Sequence, residues 1–501
     1  MIVALSRSQI CGYAARYYYP PEYLTSWLEE HLAHQRADGQ LYDWVAAGAA
    51  ANFSSVAPRA REVYHAAKNR AAGEALIVSA DKNSAEADQE SSAVASAYQV
   101  FQITEDRGWL AKDIEGRRIV DRLDNALQYL LTHRFDSTRG LLTNAFTADW
   151  GDVSPVYRDQ RAIYLDGKTP LVVGLYTNAL FYRAAEQLAE LHSALGDNER
   201  AAHWREKAST TKANINQHLW QEDKGFYRIH LSVTPISFGQ RLDESNIFAA
   251  GGNALAALYG IADDRRAGKI FEVAEERRRA FGVSTIAGAL LPPYPKGFFK
   301  HPAVAEEYAY QNGGQWDWFA GRLLLAEFER GHADLARRQL SEIAKKSVES
   351  GGLYEWHTKE GAGRGSASYA GNVGALGGAI FEGLFGVYLS RDSLNLKVRL
   401  ADEAGQVHLY QPATDHYVAY KYCYNQTSNV IELSCESNVS QTGRLSVLLP
   451  NNRQATELTL DGETKSFTTE EIGEDIYITI DTDWKPHRLK LKLTTNNNRK
   501  S

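Results

Sequence analysis

Two short acidic segments, far apart in the sequence, carry residue types that could do chemistry. The first contains Asp149, Trp150 and Asp152, and the second contains Glu355 and Trp356. Cleavage of a glycosidic bond needs one carboxylic acid that protonates the leaving oxygen and a second carboxylate on the opposite side. Indole rings pack against the apolar faces of sugar rings. The two segments together therefore predict a carbohydrate-active hydrolase.

Asp152 is the predicted general acid of the first segment. It begins the sequence Asp-Val-Ser-Pro, in which an aspartate could also do no more than cap a helix. Asp149 is the alternative acid, and it could instead hydrogen-bond sugar hydroxyls beside Trp150, which is a predicted sugar contact. Two neighbouring carboxylates raise the pKa of one of them, as an acid catalyst near neutral pH requires.

Glu355 is the predicted general base, which activates a water molecule for attack on the sugar. It precedes a glycine-rich run at 361–371. Because most glutamates lie on protein surfaces, an ordinary exposed residue is the competing interpretation, and Glu360 and Glu382 are the other candidate bases. Trp356 is predicted to bind the sugar. His357 is either a proton relay or a structural residue.

A third segment, Tyr-Gln-Asn-Gly-Gly-Gln-Trp at 310–316, has the composition of a sugar-binding turn. Its Asn312, Gln315 and Trp316 are predicted substrate contacts, because amides bind hydroxyls and an indole binds a ring face. Trp44 and Glu90 are further predicted contacts. Glu90 stands near the start of a helix, where an acidic residue could also simply favour the positive helix N-terminus.

The composition excludes several other classes of protein. The chain of 501 residues is 44% hydrophobic and 23% charged, as is usual for soluble globular proteins. A net charge of −7 disfavours nucleic acid as a partner. The cysteines and histidines show no metal-ligand spacing. Acid–base cleavage of a glycosidic bond requires no cofactor, so we expect neither a metal nor an organic cofactor. The first residues do not resemble a signal peptide and no apolar run could span a bilayer, so we expect a cytoplasmic protein without membrane contact.

The elements that must position these residues form two regions. Residues 1–390 read as a succession of amphipathic helices, with apolar residues at helical spacing and several stops at glycine. Alternately short and long connections predict a mainly α fold, an (α/α)6 toroid of six helical hairpins. Residues 391–501 alternate between apolar and polar side chains and predict an antiparallel β-sandwich. The predicted helices include 87–103, 117–134, 173–195, 199–220, 244–259, 265–281, 316–330, 333–348 and 371–389.

Several of these motifs resemble one clan of enzymes. The Asp152 turn, the following Tyr-Thr-Asn-Ala-Leu-Phe-Tyr at 176–182, the segment 310–316 and Glu355 ahead of Gly-Arg-Gly-Ser occur in the order found in inverting (α/α)6-barrel glycoside hydrolases. The similarity is to the α-glucosidases of glycoside hydrolase family 63 and to trehalases. The C-terminal position of the β domain is similar to that of α-L-rhamnosidases. Val156 stands where these relatives commonly carry an arginine.

The resemblance implies an inverting, exo-acting glycosidase with Asp152 as acid and Glu355 as base. Its substrate would be an oligosaccharide or glycoside with a terminal, α-linked sugar. One alternative is a glycoside phosphorylase on the same fold, for which the Gly-Arg-Gly-Ser run at 363–366 is the candidate phosphate nest. The other is a sugar-binding protein without catalysis.

Overall fold

The computed structural model describes residues 2–4, 13–47, 62–68, 75–81, 84–235 and 242–495. Helices are the main regular structure of the chain up to residue 384, as the apolar periodicity of the sequence predicts. The α-helices are Pro21–Ala33, Gln89–Thr104, Arg107–Ala111, Ile119–His133, Leu175–Ala194, Asn198–His218, Ala250–Leu258, Asp264–Ala280, Asp317–Glu329, Ala333–Ser350 and Ala370–Gly378.

Five of these helices pack against one another in succession and form a buried layer. Gln89–Thr104 packs against Leu175–Ala194, which contacts Ala250–Leu258. The layer continues through Asp317–Glu329 to Ala370–Gly378. Small residues allow the close approach, since a Cβ at the mid-helix glycine of Asp317–Glu329 would overlap the backbone of its neighbour. We call these five the inner helices.

Three of the inner helices are followed by a more polar helix that packs against them, and we call these the outer helices. Asn198–His218 packs on Leu175–Ala194, and Ala333–Ser350 packs on Asp317–Glu329. Asp197 caps the first of these outer helices, where its side chain accepts from the Arg200 amide. The mainly α character predicted from the sequence is therefore confirmed for this region.

Two of the predicted helices are wrong in part. The segment predicted as a helix over 244–259 begins with a 3-10 turn and the strand Phe248–Ala249, and only Ala250–Leu258 is α-helical. The strand forms because Phe248 and Ala249 pair with Leu290–Leu291, a long-range partner that a local pattern cannot reveal. The segment predicted over 371–389 continues as a π-helix and ends in a strand.

Most strands in the helical part are short and pair with strands from neighbouring loops. Those at the N-terminal end pair in the order Ile2–Ala4, Trp44–Ala47, Ala75–Asp81, Glu62–Lys68. The remaining short strands are Asp113–Ile114, Arg117–Arg118, Phe135–Asp136, Leu141–Leu142, Asn144–Ala145, Leu171–Gly174, Trp220–Gln221, Phe226–Tyr227, His230–Ser232, Phe248–Ala249, Leu290–Leu291, Trp356–His357 and Gly363–Arg364.

The C-terminal region is built from two β-sheets that share one hydrophobic core. The expected antiparallel arrangement needs one correction, because Leu394–Val398 and Gly443–Leu448 pair in parallel. A parallel pair requires a crossover connection, and the strands of the other sheet between them supply it. One sheet contains Val387–Leu389, Leu394–Val398, Gly443–Leu448, Asp475–Thr482 and Thr468–Ile472, and the other Ala404–Gln411, His416–Asn425, Val430–Ser437, His487–Thr495, Arg453–Leu460 and Glu463–Thr464.

A buried arginine joins the sheets to the helices. The Arg399 side chain is fully buried and donates to the carbonyls of Glu382 and Gly383, at 2.9 and 2.7 Å, and to the Glu329 carboxylate at 3.0 Å. These bonds satisfy a guanidinium that would be costly to bury alone. Among the described helices, none is long and apolar enough to cross a lipid bilayer.

Candidate active site

Asp152 lies in a loop between Asn144–Ala145 and Leu171–Gly174, and no α-helix begins there. The loop is held by its own backbone, where the Ser154 amide donates to the Ala162 carbonyl at 2.8 Å. Asp152 is half-buried, and its Oδ1 accepts from Gln311 Nε2 at 2.9 Å. The Asp152 carboxylate therefore does not cap a helix and is accessible to a ligand.

Glu355 lies at the start of a small hairpin. Its amide donates to the Ser366 carbonyl at 2.7 Å, and the hairpin continues with Trp356–His357 paired to Gly363–Arg364. The carboxylate is half-buried, and its Oε1 accepts from Tyr310 Oη at 3.3 Å. A Cβ at Gly365 would overlap this carboxylate, so the glycine-rich run is required for the hairpin to pass so near.

Tyr310 and Gln311 bring the two carboxylates to one place. The two residues are consecutive, and one contacts Glu355 while the other contacts Asp152. The alternative bases lie elsewhere. Glu360 is exposed and accepts from the Thr358 hydroxyl, and Glu382 belongs to the π-helix at the far end of the inner layer.

Asp149 has a structural environment that differs from that of Asp152. Its side chain is buried, and Oδ2 accepts from the Gly252 amide at 3.0 Å, at the N-terminus of Ala250–Leu258. Oδ1 is buried without a hydrogen-bond partner. Burial raises the pKa of Asp149 to about 6, although the Gly252 bond and His230 lower it. Asp149 thus fastens the loop to a helix start while Asp152 faces outward.

Aromatic rings line the space around Asp152 and Glu355. Trp316 packs edge-on against Trp150 at 5.1 Å and against Tyr310 at 5.1 Å. Trp356 packs against Tyr310 at 6.1 Å and is half-buried. Trp150 and Trp316 are 8% and 2% exposed, so of these three indoles Trp356 offers the most surface to a sugar. The roles predicted for Trp150 and Trp316 remain predictions.

The predicted amide contacts make structural hydrogen bonds. Asn312 is fully buried and exchanges bonds with the Tyr294 amide and carbonyl, at 2.8 and 3.0 Å. Gln315 is also buried, and it joins Thr285 to the Thr358 carbonyl. Their amides satisfy loop backbone groups that would otherwise be buried unpaired. Sugar binding by Asn312 and Gln315 remains a prediction.

The two predicted contacts from the N-terminal part are placed differently. Glu90 is fully buried, and its Oε1 accepts from the Leu41 amide at 3.0 Å. Its predicted sugar contact is untested. The backbone of Trp44 pairs in a strand, but its side chain lies outside the described part of the structure.

A buried charged cluster behind Glu355 was missed by sequence reasoning. Lys346 Nζ lies 2.5 Å from Asp317 Oδ1, and both side chains are at least nine-tenths buried. His357 is fully buried beside them, with Nδ1 4.0 Å from Asp317 Oδ2. Burial and the Lys346 charge lower the pKa of His357 to about 4, so its ring is neutral at neutral pH. This neutral state favours a structural role for His357 over a proton relay.

Tyr310 and Gln311 belong to the predicted sugar-binding turn, but the sequence did not show that they contact the two carboxylates. The only signal was their position directly before Asn312 in the amide-rich turn. The resulting arrangement has one carboxylate bound to an amide donor and a second bound to a phenol, and two indoles pack against that phenol ring. In the described part of the chain, no group of three or more His, Cys, Asp or Glu is arranged to hold a metal ion.

The chain is similar in fold to several solved structures. It superposes on an alpha-L-rhamnosidase from Dictyoglumus thermophilum with a TM-score of 0.62 and 12% identity, covering 98% of this chain and 46% of that one. It also matches a GH63 mannosylglycerate hydrolase from Thermus thermophilus, solved in complex with glucose, with a TM-score of 0.51 and 17% identity over 76% of this chain and 92% of the other. The chain therefore spans less than half the length of the rhamnosidase. At these identities the similarity shows the fold alone.

A family model gives the more specific result. Residues 12–370 match the model of the mannosylglycerate hydrolase MGH1-like glycoside hydrolase domain. The match contains Asp152, Glu355 and the segment between them, and it covers well over half of the chain. The chain therefore carries a glycoside hydrolase domain and belongs to the MGH1-like glycoside hydrolase family.

Proposed function

We propose that this protein is an inverting, exo-acting glycosidase in which Asp152 is the general acid and Glu355 the general base. The observation that carries the proposal is that the consecutive residues Tyr310 and Gln311 hydrogen-bond the two carboxylates. Asp152 would protonate the glycosidic oxygen, and Glu355 would take a proton from water on the other face of the sugar ring. No covalent intermediate forms in this mechanism.

Accessibility supports Asp152 over Asp149 as the acid. A general acid must reach the leaving oxygen directly. Asp152 is half-buried in an open loop, whereas Asp149 is packed against Gly251 and Gly252. The raised pKa of Asp149 results from burial, so it does not by itself indicate contact with substrate.

The surrounding fold supports a pocket that accepts one terminal sugar. The succession of five inner helices, three of them followed by an outer helix, supports an (α/α)6 toroid, and we propose that the ring closes around the site. We place the boundary of this barrel near residue 390, with the β-sandwich as a second domain. The family description names mannosylglycerate hydrolase, so α-linked mannosides, and mannosylglycerate among them, are the first substrates to test, followed by glucosides and rhamnosides.

The decisive experiment is proton NMR of the first sugar released from an α-glycoside. Inversion gives the β-anomer as the initial product, and net retention would refute the mechanism by requiring a covalent intermediate. Glu355→Gln should lower kcat by about 100- to 10,000-fold with little change in KM, since only activation of water is lost. Added azide should restore turnover of this variant as a glycosyl azide. If inorganic phosphate instead accelerates the wild type, the enzyme is a phosphorylase.

Asp152→Asn provides the complementary test of the acid. The amide is nearly isosteric but cannot deliver a proton. The variant should lose turnover of substrates with poor leaving groups and retain much more on activated aryl glycosides. Equal losses on both substrate types would show that Asp152 does not act as the acid.

A further inference from the structure

A large cavity lies at the opposite end of the inner helices from Asp152 and Glu355. Its volume is about 820 Å³, within the range of small-molecule sites. Most of the helical residues that line it come from the C-terminal halves of the inner helices, among them Tyr98, Gln187 and Leu325, while Ala95, Arg183 and Arg322 lie near the middle of their helices. Tyr388 and Ser390 of the β region lie at its edge. Asp152 and Glu355 lie in the loops that precede the inner helices Leu175–Ala194 and Ala370–Gly378, and neither residue lines this cavity.

Arg322 is a buried cation in the wall of this cavity without a carboxylate partner. The side chain is 4% exposed, and Nη1 donates to Tyr176 Oη at 3.0 Å. Its guanidinium also lies over the rings of Tyr176 and Trp318. Among the described residues, no acidic side chain forms an ion pair with it. The residues that precede Tyr13, which also lines the cavity, contain no Asp or Glu.

The other charges that line the interior of the cavity are already compensated. Arg16 pairs with Glu382 at 3.5 Å, and Arg183 pairs with Glu186 at 3.2 Å. Glu329 pairs with Arg399. An isolated buried charge is costly unless it is paired. Arg322 is therefore the position in this wall at which an anion would gain the most binding free energy.

Gln187 adds a second, independent indication of a ligand. It lines the cavity and is 7% exposed, and its Oε1 is buried without a hydrogen-bond partner. An amide oxygen accepts hydrogen bonds from hydroxyl groups. Glu190, at the exposed mouth, is a further acceptor that already takes a bond from Tyr98. The site therefore offers one buried cation, one buried acceptor for a hydroxyl and a second acceptor at its exposed mouth.

We propose that this cavity binds a small hydroxylated carboxylic acid of the sugar-acid class. Its carboxylate pairs with Arg322, and a hydroxyl of its carbon chain donates to Gln187 Oε1. Guanidinium groups bind carboxylates with two parallel hydrogen bonds. The exposed Glu190 disfavours a ligand with a second negative charge at the mouth.

The test is calorimetric titration of the full-length protein with D-gluconate and, as the uncharged match, with D-sorbitol. We expect gluconate to bind with a stoichiometry of one and about tenfold or more tighter than sorbitol, because sorbitol has no carboxylate to pair with the buried Arg322. Arg322→Gln should weaken gluconate by about tenfold or more. Arg183→Gln is the matched control, because Arg183 lines the same cavity but is already paired with Glu186, and it should leave gluconate affinity within about twofold.

Two more variants test the proposal further. Gln187→Leu should weaken gluconate binding, and this variant tests the proposal if Arg322→Gln does not fold. Glu355→Gln should bind gluconate as the wild type does, because the catalytic site is not involved. Equal affinity for gluconate and sorbitol, or loss of gluconate binding in Glu355→Gln alone, would overturn the proposal.

Discussion

Replacement of Asp149 by asparagine should make the protein more stable above about pH 6. Asp149 is 4% exposed, with one oxygen bonded to the Gly252 amide and the other without a partner. Asparagine has nearly the same shape and keeps an acceptor for Gly252. Asp149 has a φ of 57°, and asparagine tolerates this left-handed conformation well. The substitution therefore removes a buried charge with little other change.

The magnitude follows from the pKa of Asp149. Burial raises it from 3.8 to about 6 in the folded state. Between these values the unfolded chain releases a proton that the folded chain retains, so the free energy of unfolding falls as pH rises. Below pH 3.8 the carboxyl is neutral in both states and costs nothing. Above about pH 6 the full penalty applies, on the order of 3 kcal/mol.

The assay is urea unfolding of the wild type and Asp149→Asn at intervals between about pH 4 and 8. The stability difference should be small at about pH 4, grow through the interval to about pH 6, and then remain constant. Asp152→Asn is the matched control, since it makes the same substitution in the same loop at a half-buried side chain. A constant difference across the whole pH range would refute the reasoning. Asp149→Asn should also keep its activity, and loss of activity there with retention in Asp152→Asn would transfer the role of acid to Asp149.

The remaining predictions concern the base hairpin and the indoles. Gly365→Ala should lower kcat on the order of 100-fold, because its Cβ would displace the Glu355 carboxylate. Gly297→Ala has a similar φ of 76° and open space around it, so thermal melting should show the same modest destabilisation while kcat is unchanged. Trp316→Ala should reduce the free energy of unfolding by about 3–5 kcal/mol, since the ring is buried. Trp356→Ala should instead raise KM about tenfold with little effect on kcat, and a stability loss equal to that of Trp316→Ala would contradict this division.

The helices and the two acidic segments could be predicted because both are local properties of the chain. Apolar residues at helical spacing predict a helix, and this held for Leu175–Ala194, although the folded helix is buried on most of its surface and not on one face alone. A carboxylate beside an indole is a local pattern that favours sugar binding, and the roles of Asp152 and Glu355 stay predictions. Alternating side chains likewise indicated the C-terminal strands such as Val430–Ser437.

The tertiary structure decided which polar residues serve the loops and which face the site. Asn312 and Gln315 were expected at a sugar, but their amides pair with the backbone of distant loops. Gln311, their neighbour, reaches Asp152 instead. Sequence cannot make this distinction, because buried backbone groups must find partners and the partners come from segments far away in the chain. For the same reason the strand Phe248–Ala249 and the parallel pairing in the C-terminal sheet appear only once the chain is folded.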